Sequence, residues 1–213
     1  MTNLFPVLLN LDYKKVVIVG GGHVAYQKLM ALLPTKANII VVSPEVQDSI
    51  VPLLEKPNIT WRQKVFEPKD LDDASLIFAA TNSEAINDAV EEATQHWQLL
   101  SRADAQSRID FINPAVVRRG DFVVAVSTSG ASPSLTRKIK KELEVQFDES
   151  YAQYVDFLKQ ARDIVKSAIT DREERKTVLQ QLLDSRLHEW IQQGNIERCH
   201  QYLQQLLSGE KTS

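Results

Sequence analysis

The sequence predicts an α/β chain: a doubly wound parallel sheet, followed by a small β-containing region and a helical C-terminal domain. Three observations carry this. Short continuous apolar runs alternate with helical patterns through the first half, as strands covered on both faces require. A glycine triplet closes the first of those runs. From residue 150 onward the apolar residues keep helical spacing to the end, with no strand-like run among them.

The elements follow in order. Lys15–Val19 is a β-branched run ending in three glycines, and Val24, Leu29, Leu32 and Leu33 then stand at helical spacing. Ile39–Val42 ends at Ser43-Pro44, and Ile59–Trp61, Leu76–Ala80 and Leu99–Leu100 supply further strands. A helix is expected over Ala85–His96. The pattern changes at Asn113-Pro114. Ala115–Val117 and Phe122–Val126 flank a turn at Arg119-Gly120-Asp121 and read as a strand pair. Ser132-Pro133 starts a helix, with a serine cap and proline at its first position; Leu135, Ile139, Leu143 and Phe147 are its expected buried stripe.

In the last third, Tyr151, Tyr154, Val155, Leu158, Val165 and Ile169 share one helical face. Thr170–Glu173 has capping-box spacing before a second helix bearing Val178, Leu179, Leu182, Leu183, Leu187 and Trp190. Gly194 ends that helix, and Asn195 caps a last one with Ile196, Cys199, Leu203 and Leu206. The expected division is 1–113, 114–148 and 149–213.

Composition narrows the function classes. The 213 residues are 43% hydrophobic and 25% charged, which excludes collagen, low-complexity disorder and coiled coil. The sole cysteine, Cys199, excludes an internal disulfide and a cysteine-based zinc cluster. Met1–Pro6 lacks the basic start and apolar run of a signal peptide, and no window holds 18 uninterrupted apolar residues. A cytoplasmic protein without a membrane partner is expected. The net charge of −3 argues against a nucleic-acid binder. Its distribution is uneven, since Leu100–Lys141 holds eight basic residues against three aspartates. That basic segment, with Arg102, Arg108, Arg118, Arg119 and Arg137, suits a polyanionic ligand. His23, His96, His188 and His200 show no ligand spacing, so no metal site is expected.

Gly20-Gly21-Gly22-His23-Val24-Ala25 satisfies G-x-G-x-x-A between a strand and a helix, the dinucleotide fingerprint of a Rossmann-type sheet. Gly20 permits the tight turn, Gly22 the approach of a pyrophosphate, and Ala25 the packing of helix on sheet. The helix N-terminus, with His23 and Val24, offers free N–H groups to phosphate. After the second strand Ser43, Pro44 and Glu45 stand where ribose hydroxyls are met. No arginine adjoins them to hold a 2′-phosphate, so NAD is favoured over NADP. Ala80, Thr81 and Asn82 follow the fourth strand, where the chain passes the cofactor.

Three segments together resemble one family: Val19–Ala25; Phe78–Asn82 with Asn87 following; and Phe111–Ala115 leading to Ala125–Pro133. The chain resembles precorrin-2 dehydrogenase, the single-module relative of the N-terminal part of siroheme synthase, over nearly its whole length. The resemblance implies a Rossmann domain, a small dimerisation region and a helical C-terminal domain. It implies NAD-dependent oxidation of precorrin-2 to sirohydrochlorin by a homodimer, and in some members iron insertion as well. The family's essential aspartate, in an Asn-Val-x-Asp context, falls on Asp104 of Ser101–Asp104, with Ser101 in place of the asparagine. Gln27 stands in place of an arginine before Lys28, and Thr128 where some fused members carry a phosphorylatable serine.

The substrate's eight carboxylates suit the basic segment. Ser127, Thr128, Ser129, Ser132, Arg118, Arg119 and Arg137 are the candidates to bind them. Asp104, at the end of a strand, is the candidate proton acceptor. With no persistent metal site, metal insertion is expected to be slow or absent. A non-catalytic NAD-sensing module is the alternative, and it would need neither the basic segment nor Asp104.

Overall fold

A computed structural model describes residues 4–104 and 110–208. Met1, Thr2 and Asn3 of the expected leaderless start, and Arg108 of the basic segment, lie outside the described residues. The chain folds into two compact units, Met1–Asn113 and Pro114–Ser213.

The first unit is built on five parallel strands: β1 (Lys15–Val19), β2 (Asn38–Val42), β3 (Ile59–Arg62), β4 (Leu76–Ala79) and β5 (Leu99–Arg102). Their spatial order is β3-β2-β1-β4-β5. The order reverses between β1 and β4, which opens the crevice where such sheets take ligands. Both faces of β1 are buried, which is why its five residues are all β-branched or, at Lys15, at the rim. Helix α1 (His23–Leu32) buries Ala25, Leu29 and Leu32 on one face of the sheet. Helix α2 (Glu84–Ala93) puts Val90 into a second cluster with Val17, Val19, Ile77 and Leu100 on the other. It ends three residues short of His96, because Thr94 turns to extended backbone.

Two short 3₁₀ turns, Val51–Glu55 and Pro68–Leu71, complete this unit. Asp70, in the second, is fully buried and accepts from Arg62 Nη1 at 2.8 Å and Lys64 Nζ at 2.9 Å. Beyond β5 the chain comes back to it. The Asp110 N–H donates to the Leu100 carbonyl oxygen at 3.0 Å, and its carboxylate accepts the Leu100 N–H at 2.9 Å.

The second unit begins with an antiparallel pair, β6 (Ala115–Arg119) and β7 (Phe122–Val126), joined through Gly120 at φ +57°. Helix α3 (Pro133–Gln146) follows, with Ser132 accepting the Leu135 N–H as cap. Then come α4 (Ser150–Ala168), α5 (Arg172–Gln181), α6 (Ser185–Gln192) and α7 (Ile196–Ser208). Their core is Phe157, Ala161, Val165, Val178, Leu182, Leu187, Ile191, Cys199 and Leu203.

Three expectations are corrected here. The stripe of α3 is not buried: Leu135 is 47% exposed, and none of the helix's residues is buried. A two-stranded sheet is too small to cover a whole helix face. The single helix expected between Thr170 and Gly194 is two, because the Asp184 side chain accepts the Arg186 N–H and starts a new helix. The cap of α5 is Asp171, which accepts the Glu174 N–H at 2.8 Å, rather than Thr170.

Candidate functional site

The glycine loop, Ser43–Glu45, Ala80–Asn82 and Asp104 follow the carboxyl ends of β1, β2, β4 and β5. Gly20 leaves β1 at φ +124°, and a Cβ there would meet the Ala80 carbonyl oxygen at 2.3 Å. A Cβ on Gly21 would lie 2.0 Å from the Glu45 carbonyl oxygen. Around Gly22 there is open space to 4 Å. The first two glycines are therefore required by protein backbone, while the third faces open space. Gly22 caps α1 without a side-chain bond, and no acidic residue occupies the first turn. The leading N–H groups of α1 have no intrahelical acceptor and carry the positive end of the helix dipole. That cradle fits a dinucleotide pyrophosphate.

The other cofactor candidates sort by what their side chains already do. His23 is exposed, with Nε2 2.9 Å from Gln27 Nε2, while Val24 packs against the core. The Ser43 side chain already has a partner within the protein. It is buried, and its hydroxyl donates to the Glu45 carbonyl oxygen at 2.6 Å, because the turn over Gly21 needs that bond. Pro44 and Glu45 are exposed. Ala80 is buried and Asn82 exposed, and Ser83 rather than Asn82 caps α2.

Thr81 belongs to a network. Asn87, fully buried on α2, accepts the Thr81 N–H at 3.3 Å and the Thr81 hydroxyl at 2.8 Å through Oδ1. Its Nδ2 donates to the Thr81 carbonyl oxygen at 3.1 Å and to Asp104 Oδ2 at 2.8 Å. Asp104 also accepts from Arg102 Nε at 3.2 Å and Nη2 at 3.3 Å. The Arg102 guanidinium holds the Asp104 carboxyl below the usual carboxylate range; burial opposes this and the Asn87 bond adds to it. Asp104 is ionised at neutral pH, oriented, and still open to the solvent edge of the sheet.

Two segments singled out in the sequence meet nearby. Phe111 packs edge-on to Phe78 at 5.3 Å. Lys28 lies 5.4 Å over the Phe78 ring and 3.5 Å from Asn113 Oδ1, and burial lowers its pKa.

In the second unit the serine-rich loop is largely occupied with itself. Ser127 accepts the Ser129 N–H, Thr128 the Ser132 N–H, and Ser132 caps α3. Ser129, at φ +51°, is exposed. Arg119 bonds the Glu144 carbonyl oxygen and lies 3.3 Å from Glu149, so it ties the hairpin to α3 and the start of α4. Arg118 and Arg137 are exposed, the latter donating to Ser134.

Three residues that shape this geometry carry no clear signal in the sequence. Gly21 looked like the variable position of the fingerprint. Asn87 has no local mark of a role, and Arg102 reads only as one charge of a basic segment. No local pattern pairs Arg102 with the carboxylates of the preceding helix.

Comparison with known proteins adds to this geometry. Residues 7–115 match the family model described as putative NAD(P)-binding, 119–146 that of the sirohaem biosynthesis protein central region, and 151–194 that of the SirC C-terminal domain. The chain is similar to a precorrin-2 dehydrogenase of Priestia megaterium, 33% identical over 181 residues that cover 85% of this chain and 90% of that one. It is 31% identical to a siroheme synthase of Acinetobacter baylyi over 207 residues, 96% of this chain and 45% of the relative. It thus spans less than half the length of the siroheme synthases it matches. A solved structure of SirC, precorrin-2 dehydrogenase, superposes with a TM-score of 0.80 at 30% identity, covering 95% of this chain and all of that one.

Proposed function

Because the chain belongs to the precorrin-2 dehydrogenase family, we propose that it oxidises precorrin-2 to sirohydrochlorin with NAD as hydride acceptor. The observation that carries this is Asp104: an oriented carboxylate on the same strand-end edge as an open, uncapped glycine loop, tied to the cofactor loop through Asn87. Bound NAD supplies the acceptor for the hydride. Gly22 and the first N–H groups of α1 would hold its pyrophosphate, and His23, Val24, Pro44, Glu45, Ala80, Thr81 and Asn82 are the further candidates to line the cofactor. As hydride leaves, positive charge develops on the macrocycle, and the ionised Asp104 stabilises it. Asp104 then takes the proton that the cationic ring has made acidic. A weak base suffices there, in keeping with its lowered pKa. The balance is precorrin-2 and NAD⁺ to sirohydrochlorin, NADH and a proton.

In this proposal residues 1–113 bind cofactor, 114–148 dimerise and 149–213 form the helical domain. Ser127, Ser129, Arg118 and Arg137 are the exposed candidates for substrate carboxylates; Thr128, Ser132 and Arg119 shape the surface that presents them. A homodimer is supported by the uncovered apolar residues of β6 and α3, among them Val116 and Leu135. The cytoplasm is the proposed place of work, and no described helix is long and apolar enough to cross a membrane. Anaerobic incubation of the protein with precorrin-2 and NAD tests the reading. NADH with a sirohydrochlorin spectrum is expected; NAD binding without either favours a sensing module.

A further inference from the structure

We infer that Arg102 and Asn87 are positioning residues for the dehydrogenation, holding the Asp104 carboxylate by both oxygens in one orientation. The inference rests on the proposed role of Asp104 and extends it to residues that do not touch substrate. The Arg102 side chain is only 6% exposed. Its Nη1 is fixed by Asp88 at 2.8 Å and Glu91 at 2.6 Å on α2, which leaves Nε and Nη2 to face the two oxygens of Asp104. A guanidinium anchored at one corner presents its remaining N–H groups as a rigid fork. Asn87 completes the hold from α2 with a bond of 2.8 Å. Every hydrogen-bonding direction of this buried amide goes either to Thr81 or to Asp104. The cofactor loop and the catalytic carboxylate therefore hang on one side chain.

The charged groups facing this cluster among the described residues are Asp104 and Arg102 from the end of β5, and Asp88 and Glu91 from α2. Removing Arg102 takes away the cation that Asp88, Glu91 and Asp104 share, and like charges left near one another disfavour ionisation.

The test follows the Asp104 carboxyl by carbon NMR in protein with labelled aspartate, assigned by its loss in Asp104→Asn, beside initial rates of NADH formation against pH. Arg102→Gln is expected to raise the titration midpoint by about one to two pH units. The rate profile should gain an acid limb at the same midpoint, and its plateau should fall about tenfold or more through lost orientation. Arg102→Lys keeps the charge but not the fork. Its midpoint should stay near wild type while its plateau still falls, and it carries the test if Arg102→Gln does not fold. Asn87→Ala should lower the plateau and weaken NAD binding together. Unchanged midpoint and plateau in the Arg102 variants, or an unchanged plateau in Asn87→Ala, would overturn the inference for that residue. Absence of NADH from the wild type would instead overturn the dehydrogenase reading itself, whatever the titration shows.

Discussion

A Cβ on Gly21 would lie 2.0 Å from the Glu45 carbonyl oxygen and 2.9 Å from the Ser43 hydroxyl, so the turn after β2 sits directly on the glycine loop. Gly21→Ala is expected to destabilise the fold by about 1–3 kcal/mol, as overpacking does. Gly22→Asp should fold with wild-type stability and lose NAD binding, since it sets a side chain and a negative charge in open space meant for phosphate. Urea unfolding and calorimetry read the two effects separately. Wild-type NAD affinity in folded Gly22→Asp would move the cofactor elsewhere.

Asp104→Ala should reduce dehydrogenation by about 10²–10⁴-fold, the usual cost of losing a positioned base, while NAD affinity barely changes. Given sirohydrochlorin and Fe²⁺ or Co²⁺ without NAD, the wild type is expected to insert metal no faster than the uncatalysed reaction. Rapid insertion that disappears in Asp104→Ala would mean a bifunctional enzyme.

Asp70 predicts a pH dependence of stability. Burial pushes its carboxyl up, but bonds from Lys64, the Glu67 N–H and Arg62 outweigh this and hold it below its ordinary value. A depressed carboxyl stabilises the fold above its unfolded pKa, and that contribution is lost as pH falls through the folded one. Asp70→Asn should therefore cost about 1–3 kcal/mol at pH 7, less than breaking a wholly buried pair because Arg62 and Lys64 reach solvent. The difference from wild type should shrink below about pH 4. A constant difference down to pH 3 would contradict the ion-pair origin.

Light scattering at micromolar concentration should give the wild type twice the mass of one chain. Val145 is 83% exposed and Leu135 nearly half so, a pattern that a partner surface explains. Leu135→Glu should give the mass of a single chain. A wild-type monomer would refute the pairing.

The parallel sheet was legible because its evidence is local. The β-branched run at Lys15–Val19, the glycines after it and the small residues at Ala79-Ala80 each declare their own conformation. The break between α5 and α6 was hidden because Leu182, Leu183 and Leu187 keep helical spacing across it, and only Asp184 marks the new start. The α3 stripe is legible as apolar but its exposure is not, since periodicity says which face is greasy but not what covers it. Asp104 could be found by resemblance. Its clamp could not, because Asn87, Asp88 and Glu91 reach Arg102 and Asp104 only once α2 and β5 pack together.

The return of the chain to Leu100 has a consequence for behaviour in concentrated solution. β5 is the last strand of its sheet, and its Leu100 N–H and carbonyl point away from β4. Such an unpaired rim is a template on which another molecule's strand can add, the first step toward aggregates. Asp110 fills both positions at once, with its own N–H and its carboxylate. A single residue thus acts as a plug on the strand that leads to Asp104, and it keeps that strand from recruiting a neighbour while its end stays free for chemistry.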